Sequence, residues 1–220
     1  MSHDSVAVHT DPESQTTTEV ELENLVRKAR SSNLEEKLSA VQAIGKLLST
    51  VEDHPTDAIS RTGVVPVLVS CLQSSSHSLL LQVLSTLQVL TFEQSLMVVR
   101  YGALPLLVQL FNSKDPLVCE QALCVLDNIC HDNECFDDIN VDGFIERLLF
   151  FVNDRTPTSL LRGVSRTLSH LCSIKSSFES ICKSIQRILP ALVSLVQKED
   201  IDVKAKASWA LSYLAANQIQ

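Results

Sequence analysis

Along most of the chain apolar residues return at i, i+3, i+4 and i+7, as in Ala122, Leu123, Val125, Leu126 and Ile129. That spacing lays one apolar stripe down one side of a helix. No segment sustains an alternation of period two and no Asn-Gly turn separates two such runs, so the pattern predicts essentially no β-sheet. Start signals punctuate the stripes. Asp115-Pro116 reads as an N-cap followed by proline at the first helical position, and Thr156-Pro157 suggests the same arrangement. Asn33, with Glu36 three residues later, resembles a capping box ahead of LSAVQAIGKLL. A leading helix over about 20–30 is expected, preceded by a Ser/Thr/Asp/Glu-rich acidic tail, 1–19, expected to be disordered.

The stripes repeat. Gly63-Val64-Val65-Pro66 opens VLVSCL, Gly102-Ala103-Leu104-Pro105 opens LLVQLF, Gly143-Phe144-Ile145-Glu146 opens RLLFFV, and Arg187-Ile188-Leu189-Pro190 opens ALVSLV. These openings are 39, 41 and 44 residues apart. A second marker, Leu87, Leu126, Leu168 and Leu211, keeps phase with steps of 39, 42 and 43. A helical period near forty means a solenoid, in which each repeat buries its apolar stripe against its neighbours and one curved face becomes a groove. The glycines before the openings suit turns that need positive φ. The expected architecture is an all-α, right-handed α-solenoid of four to five repeats over 20–217, divided at about 20–66, 66–105, 105–146, 146–190 and a partial 190–217.

Composition narrows the partners. A 45% apolar share with only five Gly and seven Pro excludes a disordered or collagen-like chain. A net charge of −8 argues against nucleic acid and leans towards a basic partner. No apolar run reaches the length of a membrane span, and MSHDSVAVHTDPESQ has neither a signal-peptide nor a transit-peptide pattern. The seven cysteines lie mostly inside helical stripes and read as reduced core residues.

Two segments carry a family resemblance. Asn33-Leu34-Glu35-Glu36-Lys37-Leu38 through Lys46-Leu47-Leu48-Ser49 resembles the first armadillo repeat of importin-α (karyopherin-α). Ile188-Leu189-Pro190-Ala191-Leu192-Val193 followed by Ser208-Trp209-Ala210-Leu211-Ser212-Tyr213-Leu214 resembles its fourth-to-fifth repeat junction, and Glu120-Gln121-Ala122 to Asp127-Asn128-Ile129 keeps the third-repeat pattern. The similarity spans about 30–217. It implies an armadillo-type solenoid that binds peptides, recognises basic nuclear localisation signals in protein import, and resides in cytoplasm and nucleus. It implies no catalysis, cofactor or metal.

In that family the third helix of each repeat presents Trp-x-x-x-Asn. The i, i+4 spacing puts both residues on one face. The rings stack on Lys and Arg stems and the amides hold the peptide backbone. Carried onto this chain, the second repeat has Ser85 and Val89 there, the third Cys124 and Asn128, the fourth Arg166 and His170, and the fifth Trp209 and Tyr213. Asp132 falls where the family pairs an aspartate with a signal lysine, and Ser95 replaces a nearby threonine behind a shortened loop. The peptide-binding set is therefore Asn128, Asp132, Trp209, Tyr213 and Ser95, with Ser85, Val89, Cys124, Arg166 and His170 as degenerate positions. Three of four shelves are lost, at about 1 kcal/mol or five- to tenfold in affinity each, so weakened or altered specificity is expected. The family's N-terminal Lys/Arg-rich importin-β-binding segment has no counterpart, because 1–26 contain neither residue. The chain is expected to be either a truncated product or a shortened, divergent paralogue, and not to engage importin-β through its N-terminus. A scaffold that no longer reads such signals is the alternative.

Other constellations carry less. From Asp115 to Glu146 there are nine acids and no Lys or Arg. Two readings stay open, an electronegative stretch of groove or a solvated outer face. Cys124, Cys130, His131 and Cys135 lack a C-x-x-C pair, so no metal site is expected. His170 and Cys172 are two residues apart on a helix and point apart, and no catalytic or nucleotide-binding motif occurs.

Overall fold

The computed structural model describes residues 12–50, 56–110, 113–132, 141–174 and 178–217, and all regular structure among them is helical. In chain order the helices are α1 (Pro12–Ala29), α2 (Leu34–Thr50), α3 (Thr56–Thr62), α4 (Val64–Cys71), α5 (His77–Thr91) and α6 (Ser95–Arg100). They continue with α7 (Ala103–Leu110), α8 (Pro116–His131), α9 (Val141–Phe150), α10 (Thr158–Ser173), α11 (Phe178–Val196) and α12 (Ile201–Asn217).

The long helices stack in series, α2 on α5, α5 on α8, α8 on α10 and α10 on α12. The repeat register explains why. Ile44, Val83, Ala122, Val164 and Ala207 occupy one equivalent position and are all fully buried. Leu48, Leu87, Leu126 and Leu168 do the same one turn later. Each buried aliphatic side chain contributes about 1.5–3 kcal/mol relative to exposure, so one continuous apolar seam holds the stack. Small residues set the spacing between neighbours. A Cβ on Gly163 would stand 2.7 Å from Leu123 Cδ2, which lets α8 and α10 approach closely. Among the described residues no helix is long and apolar enough to cross a membrane.

Local chemistry starts and stops these helices. Asp115 caps α8 by accepting the Leu117 N–H at 2.8 Å, with Pro116 at the first helical position, as the sequence predicts. The Thr156-Pro157 expectation is corrected by one residue, because Pro157 itself is the N-cap of α10 and no side chain caps it. Asn33 Oδ1 accepts from the Glu35 and Glu36 N–H groups at 2.9 and 3.2 Å. The return half of the box is replaced, since the Asn33 N–H donates to Ser31 Oγ at 3.1 Å. Asp200 caps α12 by accepting from the Val203 N–H at 3.1 Å.

Gly63 and Gly102 adopt φ of +72° and +81°, which separates α3 from α4 and α6 from α7. Gly143 differs from expectation, because it lies inside α9 with no positive φ. At the fourth opening the equivalent residue is Arg187, where a side chain disfavours the left-handed turn. There the two short helices of earlier repeats are fused into the 19-residue α11. Pro190 is tolerated inside it at the loss of one backbone bond. Pro66 and Pro105 sit in the first turns of α4 and α7, where no such bond exists to lose.

The expected boundaries shift. The expected divisions at 66, 105, 146 and 190 fall within α4, α7, α9 and α11. The marker they used is a proline or its equivalent inside a helix, in the first turn at Pro66 and Pro105 and in the interior at Pro190, rather than a turn between helices. The expected disordered tail is also shortened, since α1 begins at Pro12 and not near 20. Glu19 explains part of this, accepting from Arg61 Nε and Nη2 at 2.8 and 3.1 Å and tying α1 to α3 across 42 residues. The Arg61 bond holds the Glu19 carboxyl below its ordinary range. Residues 1–11 of that tail lie outside the described residues.

Candidate functional site

The eight Trp/Asn-register positions lie on one side of α5, α8, α10 and α12, opposite the buried leucines, with Val89 still packed against the edge of the core. Ser85, Trp209 and Tyr213 are exposed, and Val89, Cys124, Asn128, Arg166 and His170 are half-buried. Helical geometry accounts for this, since residues two before and two after the buried leucine lie on the opposite edge of the cylinder.

Three polar rungs join neighbouring helices along that face. Between α5 and α8, Gln88 Nε2 donates to Gln121 Oε1, and Asn128 Nδ2 donates to the Gln88 carbonyl at 3.1 Å and to Thr91 Oγ1 at 3.2 Å. The Asn128 amide hydrogens are thus engaged within the solenoid. Only its Oδ1 is left to face a ligand.

The second rung centres on Asp127, which is 6% exposed. Thr167 Oγ1 donates to Asp127 Oδ1 at 3.1 Å, Arg166 Nε lies 2.8 Å from Oδ2, and His170 Nδ1 lies 3.1 Å from Oδ1. Neither nitrogen aligns a hydrogen with the carboxylate, so Arg166 acts on it by charge more than by directed bonding and His170 packs beside it. A buried carboxylate needs this compensation. The His131 ring packs 5.0 Å from that of His170. Thr91, Phe92, Asp127, Asn128, His131 and His170 line a recess of about 270 Å³.

The third rung links α10 to α12. Arg162 Nη2 and Nε donate to Asp200 Oδ2 and Oδ1 at 2.7 and 3.2 Å, with Asp202 3.7 Å away. Arg162 and the capping N–H of Val203 hold the Asp200 carboxyl below its ordinary range. Beyond this rung Trp209 is 51% exposed, and Lys206 Nζ lies 4.2 Å from its ring centroid. Tyr213 follows one turn later on the same face, 42% exposed.

The remaining sequence candidates divide. Asp132 sits at the C-terminus of α8, half-buried, its N–H bonded to the Ile129 carbonyl. Ser95 turns inward, 3% exposed, with its hydroxyl donated to the Thr91 carbonyl at 2.6 Å, so in this arrangement it presents nothing to the face. Of the acidic run from Asp115 to Glu146, Glu134, Asp137 and Asp138 lie outside the described residues, and three of the described acids have separate partners within the chain. Asp115 caps α8 and pairs with His77, Glu146 pairs with Arg187 at 2.8 Å, and Asp127 is spent on its own rung. Cys130 is buried and Cys124 half-buried, and Cys135 lies outside the described residues. Among the described residues no group of three or more His, Cys, Asp or Glu gathers as a metal site. Burial pushes the Cys172 thiol up to about 12.

Two residues of this face escaped the sequence reading, Asp127 and Lys206. The signal for Asp127 was a carboxylate bracketed by the stripe residues Leu126 and Ile129, with Arg166 and His170 in the equivalent turn of the next repeat. Lys206 was legible as a cation three residues before Trp209.

Comparison with known proteins agrees with this geometry. Residues 52–92, 91–131 and 185–216 match the model of the armadillo/beta-catenin-like repeat. The chain is 32% identical over 198 residues to importin subunit alpha-1b of Oryza sativa subsp. japonica, covering 87% of this chain and 36% of that protein. It is 36% identical over 193 residues to importin subunit alpha-3 of Caenorhabditis elegans, covering 86% and 37%. It therefore spans little more than a third of the length of these curated relatives. Among solved structures, computationally designed armadillo repeat proteins for modular peptide recognition share the fold with TM-score 0.78 at 21% identity, covering 89% of this chain and 82% of theirs. A designed armadillo repeat protein in complex with peptide (KR)4 gives TM-score 0.78 at 20% identity, covering 88% and 81%. Stacked helical repeats, their shared register and these matches together show that the chain belongs to the armadillo-repeat family, with importin-α subunits as relatives over most of its own length.

Proposed function

We propose that the chain is a peptide-binding adaptor that holds basic, extended segments such as nuclear localisation signals along α8, α10 and α12. It serves protein import between cytoplasm and nucleus with weakened or altered specificity. The observation that carries this reading is the exposed Trp209 ring with an ammonium 4.2 Å from its centroid. The chain's own Lys206 lies at the distance a stacked ligand cation would take, which supports this reading.

The binding chemistry is simple. An extended peptide lays alternate side chains towards the face. A lysine or arginine stem stacks on Trp209 and Tyr213, and Asn128 Oδ1 accepts a backbone N–H. Asp132 supplies negative charge near the α8 end. With one tryptophan shelf in place of four, affinity falls by about 1 kcal/mol for each of Ser85, Cys124 and Arg166. Engagement of importin-β through 1–26 is not part of the proposal, since that segment has no Lys or Arg.

A second reading has its own observation. The Asn128 amide hydrogens, the Ser95 hydroxyl and the Asp127 carboxylate are all engaged within the solenoid. A scaffold that uses this fold for another protein partner would look the same. Fluorescence anisotropy with a labelled lysine-rich signal peptide separates the two. Saturable binding that weakens with salt, with Trp209→Ala and with Asp132→Lys is expected of the adaptor. Failure to saturate at high micromolar protein would leave the scaffold.

A further inference from the structure

Two elements of the face that could take a ligand cation, the Trp209 ring and the Asp127 carboxylate, already hold a cation of the chain itself. Lys206 Nζ lies 4.2 Å from the Trp209 centroid, the separation a ligand ammonium would adopt. One repeat earlier Arg166 Nε stands 2.8 Å from Asp127 Oδ2, with His170 Nδ1 3.1 Å from Oδ1. Between the two, a cleft of about 410 Å³ is lined by Glu120, Ser159, Arg162, Arg166, Asp202 and Lys206. In that cleft the cations come from α10 and α12, the helices that carry the shelf position of the fourth and fifth repeats.

We propose that Lys206 and Arg166 are specificity-determining residues that act as built-in competitors, occupying the Trp209 ring and the Asp127 carboxylate so that a ligand cation binds only by displacing them. This rests on the peptide-binding reading above. The consequence is a threshold. A ligand with one or two scattered basic residues gains little, because each contact it makes on α10 or α12 replaces one already present. A dense basic run repays the exchange through its other contacts. The arrangement differs in kind from the loss of shelves at Ser85 and Cys124. Those positions offer no cation site, whereas Trp209 and Asp127 are present and each already contacts a cation of the chain.

The geometry makes the two competitors unequal. Lys206 is on the same helix as its ring, three residues away, and can rotate off at the cost of one exposed cation–π contact. Arg166 leaves behind a carboxylate that is 8% exposed at its side chain, so its release requires the ligand to supply a cation at the same time. Displacement at Trp209 therefore comes first, and Lys206 is the residue to test.

The experiment titrates a fluorescent (Lys-Arg)4 octapeptide against the full chain, Lys206→Ala, Trp209→Ala and the double variant, with Lys204→Ala as the control. Lys204 is exposed on α12 and carries the same charge without the ring contact. Lys206→Ala is expected to bind about two- to fivefold tighter than the unaltered chain, and Lys204→Ala to change affinity by less than about twofold. In the Trp209→Ala background the gain from Lys206→Ala should vanish, because the two residues act through one contact. Arg166→Gln, checked by thermal melting to be folded, should also bind tighter. If the unaltered chain binds and Lys206→Ala binds no tighter than Lys204→Ala, the competitor role is overturned while the adaptor reading stands. The same gain with and without Trp209 would equally overturn it, leaving only a net-charge effect. If neither the unaltered chain nor any variant binds, the adaptor reading fails and the competitor role fails with it.

Discussion

Removing either member of the Asp127–Arg166 pair should cost different amounts, and burial sets the order. The Asp127 side chain is 8% exposed and that of Arg166 41%. In Asp127→Ala the guanidinium turns to water, and Thr167 Oγ1 keeps its second acceptor, the Gly163 carbonyl at 3.1 Å. What is lost is one hydrogen bond and a partly screened attraction, about 1 kcal/mol. In Arg166→Ala the carboxylate stays buried with a single aligned donor, Thr167 at 3.1 Å. Leaving a buried charge without its partner costs about 3 kcal/mol, the low end of the usual range because Thr167 and His170 remain nearby. For a chain of this size each kcal/mol moves Tm by roughly 2–4 °C. The expected losses are therefore about 2–4 °C for Asp127→Ala and about 6–12 °C for Arg166→Ala. Thermal and urea unfolding followed by circular dichroism at 222 nm would measure both. Asp127→Ala destabilising as much as Arg166→Ala would refute the claim that burial decides the energetics of this rung.

Other substitutions test the remaining local arguments. Gly102 has φ of +81° with open space around a built Cβ, so Gly102→Ala should lose about 1–2 kcal/mol by backbone strain alone. Gly143, inside α9 and exposed, should respond in the opposite sense, with Gly143→Ala gaining up to about 1 kcal/mol in the same urea assay. Asp115→Ala removes the α8 cap and should cost about 1 kcal/mol. The Cys172 thiol, raised to about 12 by burial, should resist iodoacetamide in the folded chain at pH 8, read by peptide mass spectrometry. Its unfolded counterpart ionises near pH 8.5 while the folded thiol stays protonated. The resulting stability is complete below that pH and is lost as pH rises towards 12, visible as a falling urea midpoint.

The solenoid was legible because its information is periodic. Leu87, Leu126 and Leu168 repeat one buried position, and a stripe that recurs in phase leaves little freedom in how helices stack. The turn at Gly63 was legible because positive φ demands glycine, whereas Gly143 misled because glycine permits that turn without requiring it. The exposed Trp209 and Tyr213 follow from register alone. The partners of Asn128 and Asp127 do not. Which donors reach a groove side chain depends on the rise and rotation between repeats, so a carboxylate 40 residues from its arginine-bearing neighbourhood gives no local sign of its pairing. The orientation of Ser95 was hidden for the same reason. Its hydroxyl had the right chemistry, but α6 begins at that residue and turns it onto the Thr91 carbonyl.

Trp209 is the chain's single tryptophan, which makes its emission a direct report on the shelf. The account predicts that titrating an unlabelled lysine-rich peptide changes that emission saturably, with a midpoint that moves to higher peptide concentration as salt is added. An emission spectrum that stays the same at peptide concentrations where a labelled copy of the peptide is fully bound would contradict it, because the ligand would then be held somewhere other than the Trp209 face.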